Sequence, residues 1–137
     1  ERMKSAIVLL AMICAACAWS APCPDFIAQE KLCVEMEWLD GPKMSAYSKA
    51  KFTFFREEGN KRVILRPSKE LVFYPWMIMP NMEHGGRPVV PTELSPGVWE
   101  IAKIYFEAMP GHWEMRFRYA DEADKKKPLF KTKVEFL

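Results

Sequence analysis

Leu32-Cys33-Val34-Glu35-Met36-Glu37-Trp38 places Leu32, Val34, Met36 and Trp38 on one side of an extended chain and Cys33, Glu35 and Glu37 on the other. Period two with one polar side predicts a half-buried strand, because successive strand side chains point to opposite faces. Gly41-Pro42 ends this run. The same pattern returns at the far end of the chain, where Trp113, Met115, Phe117 and Tyr119 alternate with Glu114, Arg116 and Arg118. Between and beyond these, further strands are expected at 49–56, 61–66, 71–76, 98–106 and 130–136. They are punctuated by Glu57-Glu58-Gly59-Asn60, Pro67, Ser95-Pro96-Gly97 and Met109-Pro110-Gly111. Pro75 and Pro80 assign the end of the 71–76 strand to an edge or a loop. The stretch from Asp121 to Pro128 reads as a charged loop.

No amphipathic helix, repeat or long linker interrupts this series. The expected class is all-β: an immunoglobulin-like antiparallel β-sandwich of about seven strands. A small barrel is the alternative, since alternation does not say whether a sheet closes on itself. The chain has 137 residues, half of them hydrophobic and 28% charged, which suits one folded domain and is too apolar for a disordered one. A formal net charge of +2 lacks the basic footprint of a nucleic-acid binder.

The first residues read as an address. Met3 and Lys4 precede an uncharged run of 14 residues from Ala6 to Trp19, shorter than the roughly 20 needed to span a bilayer. A basic start, a short apolar centre and small residues after it describe a secretory signal peptide over 1–20, with the domain in 21–137. Cleavage is expected after Ser20, with Ala18 as the competing site. A lipoprotein attached through Cys17 and an uncleaved anchor are the alternatives, and in every case the domain faces outside the cytoplasm, in the periplasm if the signal is removed.

Loss of the signal removes Cys14 and Cys17 and leaves Cys23 and Cys33, an even pair in an oxidising compartment. Their spacing is far from C-x-x-C, so a structural disulfide is expected rather than a redox or metal-binding pair.

Two segments carry candidate chemistry. In Trp76-Met77-Ile78-Met79-Pro80-Asn81-Met82-Glu83-His84-Gly85-Gly86, three methionines and one of the two histidines stand close together. Asn81, Glu83, His84 and two glycines around Met82 do not describe a buried strand, so its thioether lacks an obvious packing role. Thioether sulfur is soft and imidazole borderline; together they favour Cu(I), and Ag(I) by the same chemistry, over Zn(II) or Mg(II). Glu107-Ala108-Met109-Pro110-Gly111-His112-Trp113 puts Met109 in a turn beside the second histidine, which strand parity turns outward with Glu114 and Arg116. The candidate ligands are therefore Met79, Met82, His84, Met109 and His112. Met79 is equally suited to plugging the end of the sandwich, whereas Met36, Met77 and Met115 read as packing and Met44 has no assignment.

Met79-Pro80-Asn81-Met82-Glu83-His84-Gly85, Ser95-Pro96-Gly97-Val98-Trp99 and Met109-Pro110-Gly111-His112-Trp113, in that order, resemble the motifs of the YtkA-like/FixH family. That resemblance spans about Leu71 to Tyr119 and implies an exported or membrane-tethered immunoglobulin-like domain. It also implies copper handling, including delivery to a copper-receiving protein or assembly factor of cytochrome oxidase. Met79, Met82 and His84 match the loop motif and Met109 the turn. Two departures stand out: FixH proteins carry a true N-terminal membrane anchor, and His112 falls at a variable position of the turn.

Enzymatic readings find no G-x-S-x-G, H-E-x-x-H or P-loop. A blue-copper centre would need a cysteine beside two histidines, and the remaining cysteines lie far from both. The expected role is thus a Cu(I) chaperone or buffer and not an enzyme. A non-metal interaction module, using an exposed Trp76–Met82 loop as an apolar docking patch, is the second reading.

Overall fold

The computed structural model describes residues 22–137; the expected signal segment, its cleavage site and Cys14 and Cys17 lie outside the described residues. Among the described residues ten strands follow one another: β1 (Phe26–Ile27), β2 (Leu32–Asp40), β3 (Tyr47–Glu58), β4 (Lys61–Ile64), β5 (Leu71–Ile78), β6 (Glu83–Gly85), β7 (Val90–Ser95), β8 (Val98–Tyr105), β9 (His112–Tyr119) and β10 (Phe130–Lys133). They form two antiparallel sheets. One runs β1-β2-β3-β8-β7 with β4 paired onto β3, and the other runs β10-β9-β5-β6. In immunoglobulin terms β2, β3, β8 and β7 take the A, B, E and D places, and β5, β9 and β10 take C, F and G, with β6 beside β5. The all-β sandwich is as the alternation predicts. Two separate sheets exclude the closed barrel.

The alternation at Leu32–Trp38 becomes register directly. Val34 lies opposite Phe54, Met36 opposite Phe52 and Trp38 opposite Ala50, which brings one apolar row against another. These rows meet the inner face of the second sheet, where Phe73, Met77, Trp113, Met115 and Phe117 are buried. Phe52 sits at the middle, with ring centroids 5.0 Å from Phe73, 5.8 Å from Phe117 and 6.1 Å from Phe130. Edge-on and tilted contacts of this kind add to simple apolar burial. Cys23 and Cys33 are bridged, and Cys33 lies opposite Phe26, so the bond fastens the residues before β1 onto β2.

Three strands exceed the expected seven, and each has a physical reason. β1 has only two residues, too few for a visible period. β6 reads Glu-His-Gly and closes a tight hairpin on β5. β7 carries Pro91 and is almost wholly exposed, so an edge strand with no core-facing row leaves no apolar signature. The outward face of the second sheet also departs from a simple polar face. Arg116 is buried there, held by Glu114 at 2.7 Å with its guanidinium over the Trp76 ring.

At the lower end, Glu30 in the β1–β2 turn joins the two sheets. Its carboxylate accepts the Ser68 backbone N–H at 2.7 Å and the Ser68 hydroxyl at 2.6 Å, and also accepts the Tyr119 hydroxyl. The upper end gathers the β2–β3, β5–β6 and β8–β9 connections, and it is there that the methionine-bearing segments lie.

Candidate metal centre

The placement of these segments begins with β5 and β9. Their ladder runs from Leu71 opposite Tyr119 to Ile78 opposite His112, so the last residue of β5 stands beside the first of β9. Met79 therefore leaves one strand where the Met109 turn enters the other. The Met79 N–H donates to the Met82 carbonyl at 2.9 Å and closes the turn into β6. Gly111 makes the approach possible. Its φ of +117° suits glycine, and a Cβ there would strike the Ile78 carbonyl and lie 3.0 Å from the Met79 Cα.

Met79 and Met109 are both half-buried and both pack on the edge of the apolar core. Met82 at the turn is 58% exposed, which agrees with a thioether that has no packing duty. Met77 is buried at 7%, and Met115 is completely enclosed, so both serve the core as expected. The loop read as exposed from Trp76 onward is thus corrected. Trp76 and Met77 belong to β5 and are buried, because β5 continues to Ile78 under the cover of β6. The outward tip of this segment is Pro80-Asn81-Met82.

The two histidines part company. His84 lies opposite Met77, and Met77 opposite Trp113, so His84 belongs to the inward-facing row although it projects beyond the core and is exposed. The next row is Glu83, Ile78 and His112, and adjacent residues of a strand face opposite ways. His112 therefore lies on the outer face, with its Nε2 3.7 Å from the Glu114 carboxylate. His112 is thus outward, as strand parity predicts, and by this register it belongs to the face opposite that of His84, which sets it apart from Met82 and His84 as a candidate ligand.

His84 keeps one ring nitrogen free as a donor. Its Nδ1 lies 2.9 Å from the Gly85 carbonyl, an oxygen that only accepts, so Nδ1 holds the proton of the neutral ring. Nε2 is left with its lone pair, and the Gly85 bond orients it, which is the usual support behind an imidazole ligand. Among the described residues, no three side chains of histidine, cysteine, aspartate and glutamate stand together as a metal-holding group. A site at this end would rest on thioether sulfur.

One residue without a sequence assignment joins the same end. Met44, in the β2–β3 connection, bridges to Phe106, whose carbonyl accepts the Ser45 N–H at 2.8 Å. It is 43% exposed. No periodicity could have placed it, since the link is a single long-range bridge from a loop. Met44, Met79, Met82 and Met109 thus lie at one end, while Met36, Met77 and Met115 line the sandwich interior. Glu107 closes the end from the side: its carbonyl accepts the Trp113 indole N–H at 2.9 Å and its carboxylate pairs with Arg87 at 3.4 Å.

No family model, curated protein or solved structure matches this chain.

Proposed function

We propose that the chain is an extracytoplasmic Cu(I)-binding protein, a chaperone or buffer that holds the ion with Met79, Met82, His84 and Met109. The observation that carries this reading is the Ile78–His112 register, which sets the Met79–Met82 turn beside the Met109 turn. His84 presents Nε2 at the same end. Thioethers and one imidazole form a neutral, soft donor set suited to a monovalent d10 ion, Cu(I) or Ag(I). Methionine needs no deprotonation to bind, and it survives in an oxidising compartment where thiols pair.

A partly exposed set of this kind favours transfer over storage. Met82 is open to solvent, whereas Met79 and Met109 are fixed by core contacts. An acceptor could engage the ion from the Met82 side while the fixed sulfurs still hold it, so the ion passes by ligand exchange without being released. A copper-receiving protein, such as an oxidase assembly factor, is the acceptor that the family resemblance implies. Export through the segment 1–20 to the periplasm completes this reading.

X-ray absorption of the Cu(I)-loaded protein tests the donor set. A sulfur shell with one light N/O scatterer is expected, and the light scatterer should disappear in His84→Ala. A shell of nitrogen and oxygen alone would overturn the assignment. The exposure of Met82 also suits the second reading, a docking contact without metal, now narrowed to the Pro80–Met82 tip. That reading gains ground only if Cu(I) does not bind.

A further inference from the structure

We propose that the open edge of β5 docks an extended acidic peptide segment of a partner protein, independently of any metal. β6 covers only the Trp76–Ile78 part of β5, and among the described residues no strand pairs with the Leu71–Tyr74 part on the side away from β9. The Pro75 carbonyl accepts the Gly86 N–H on that side, at 3.1 Å. Backbone groups of a strand alternate in direction, so Leu71 and Phe73 also turn their N–H and C=O toward the open side. A strand edge of this kind is a template for strand addition.

The edge opens into a groove of about 410 Å3, floored by Tyr74 and Trp76 and walled by Val89 of the segment crossing to β7 and by Pro91 of β7 itself. Its charge selects the occupant. Arg87, Arg118 and Lys125 line it against a single carboxylate, Glu70. Only Arg87 of these cations has a carboxylate partner among the described residues, Glu107 at 3.4 Å. Arg118 is held by the carbonyls of Tyr119 and Glu122 and keeps its Nε–H buried without an acceptor. Lys125 begins the run Lys125-Lys126-Lys127. A strand bearing glutamates or aspartates would meet the edge amides with its backbone and these cations with alternate side chains. Residues 1–21 hold one acid, Glu1, beside Arg2 and Lys4, so that segment lacks the alternating carboxylates this groove would take.

The probe is a fluorescein-labelled peptide of alternating valine and glutamate, about eight residues long to match a typical strand, followed by anisotropy on the metal-free protein. Binding is expected, with amide shifts at Leu71 and Phe73 in NMR. Lys125→Glu should weaken it at least about fivefold without changing the melting temperature. A peptide N-methylated on alternate residues, with unchanged charge, should lose binding about tenfold or more. Absence of binding overturns the proposal. So does equal binding by the N-methylated peptide, by a valine–lysine peptide, or to Lys125→Glu.

Discussion

Gly111 lies against Ile78 so closely that no side chain fits between them, and this contact holds the Met109 turn on the end of β5. Gly111→Ala would force a Cβ into the Ile78 carbonyl and also strain a φ of +117°. The expected loss is about 3 kcal/mol of unfolding free energy. Gly59 is the control: its φ is +63°, yet nothing stands within 4 Å of a Cβ there. Gly59→Ala should cost about 1 kcal/mol, the price of a left-handed alanine alone. Chemical denaturation measures both, and equal losses would contradict the close contact.

Met77→Ala and Met82→Ala separate packing from exposure within one segment. Met77 is 7% exposed inside the core and Met82 is 58% exposed at the turn. Truncating Met77 should cost about 2–4 kcal/mol through lost burial and a residual cavity, and truncating Met82 within about 0.5 kcal/mol. Thermal melts read the difference. A large loss at Met82 would mean that its thioether has a structural role.

Stability should fall at both pH extremes through one contact. Burial works against the Glu30 charge, but hydrogen bonds from Ser68 and Tyr119 and the nearby Lys69 outweigh it and hold the carboxyl below its usual range. A lowered folded pKa gives stability that is present above the unfolded value and is lost as pH falls through the folded one. Tyr119 moves the other way, pushed up to about 12 by burial and by the Glu30 carboxylate. Its contribution is full below the unfolded value near about 10 and is lost as pH rises toward the folded one. Glu30→Gln should flatten the acid limb of the stability curve and Tyr119→Phe the alkaline limb. Unchanged limbs in both variants would remove this contact from the account.

Reduction of Cys23–Cys33, or Cys23→Ser, should lower unfolding free energy by about 2–3 kcal/mol, as expected for a bridge with a sequence separation of 10. The bond lies at β1 and β2, away from the β5–β6 turn, so Cu(I) affinity should not change. Calorimetry with and without reductant checks the first statement. A parallel fall in affinity would contradict the second.

Much of the fold was legible because its long strands carry one apolar row each: Leu32 to Trp38 and Trp113 to Tyr119 became register pairs as they were read. β6 and β7 were hidden because Glu83-His84-Gly85 and Val90–Ser95 have no apolar alternation; pairing, not pattern, makes them strands. The candidate site was legible as a composition, methionines and a histidine in polar loops. Its geometry was not. Parity within the last long strand turned His112 outward, but only the β6–β5–β9 register shows that His84 faces the other way. Met44 enters through one bridge to Phe106, a long-range contact that no local pattern encodes.

The most direct test is a competition titration of Cu(I) between the metal-free protein and a chromophoric Cu(I) chelator under reducing conditions. It is run on wild type, Met82→Ala, His84→Ala and His112→Ala, each with its melting temperature recorded. One ion per chain is predicted, with affinity reduced at least about tenfold, or about 1.4 kcal/mol, in Met82→Ala and His84→Ala and unchanged in His112→Ala. No binding above the chelator background, or equal affinity in folded Met82→Ala and His84→Ala, would contradict the account.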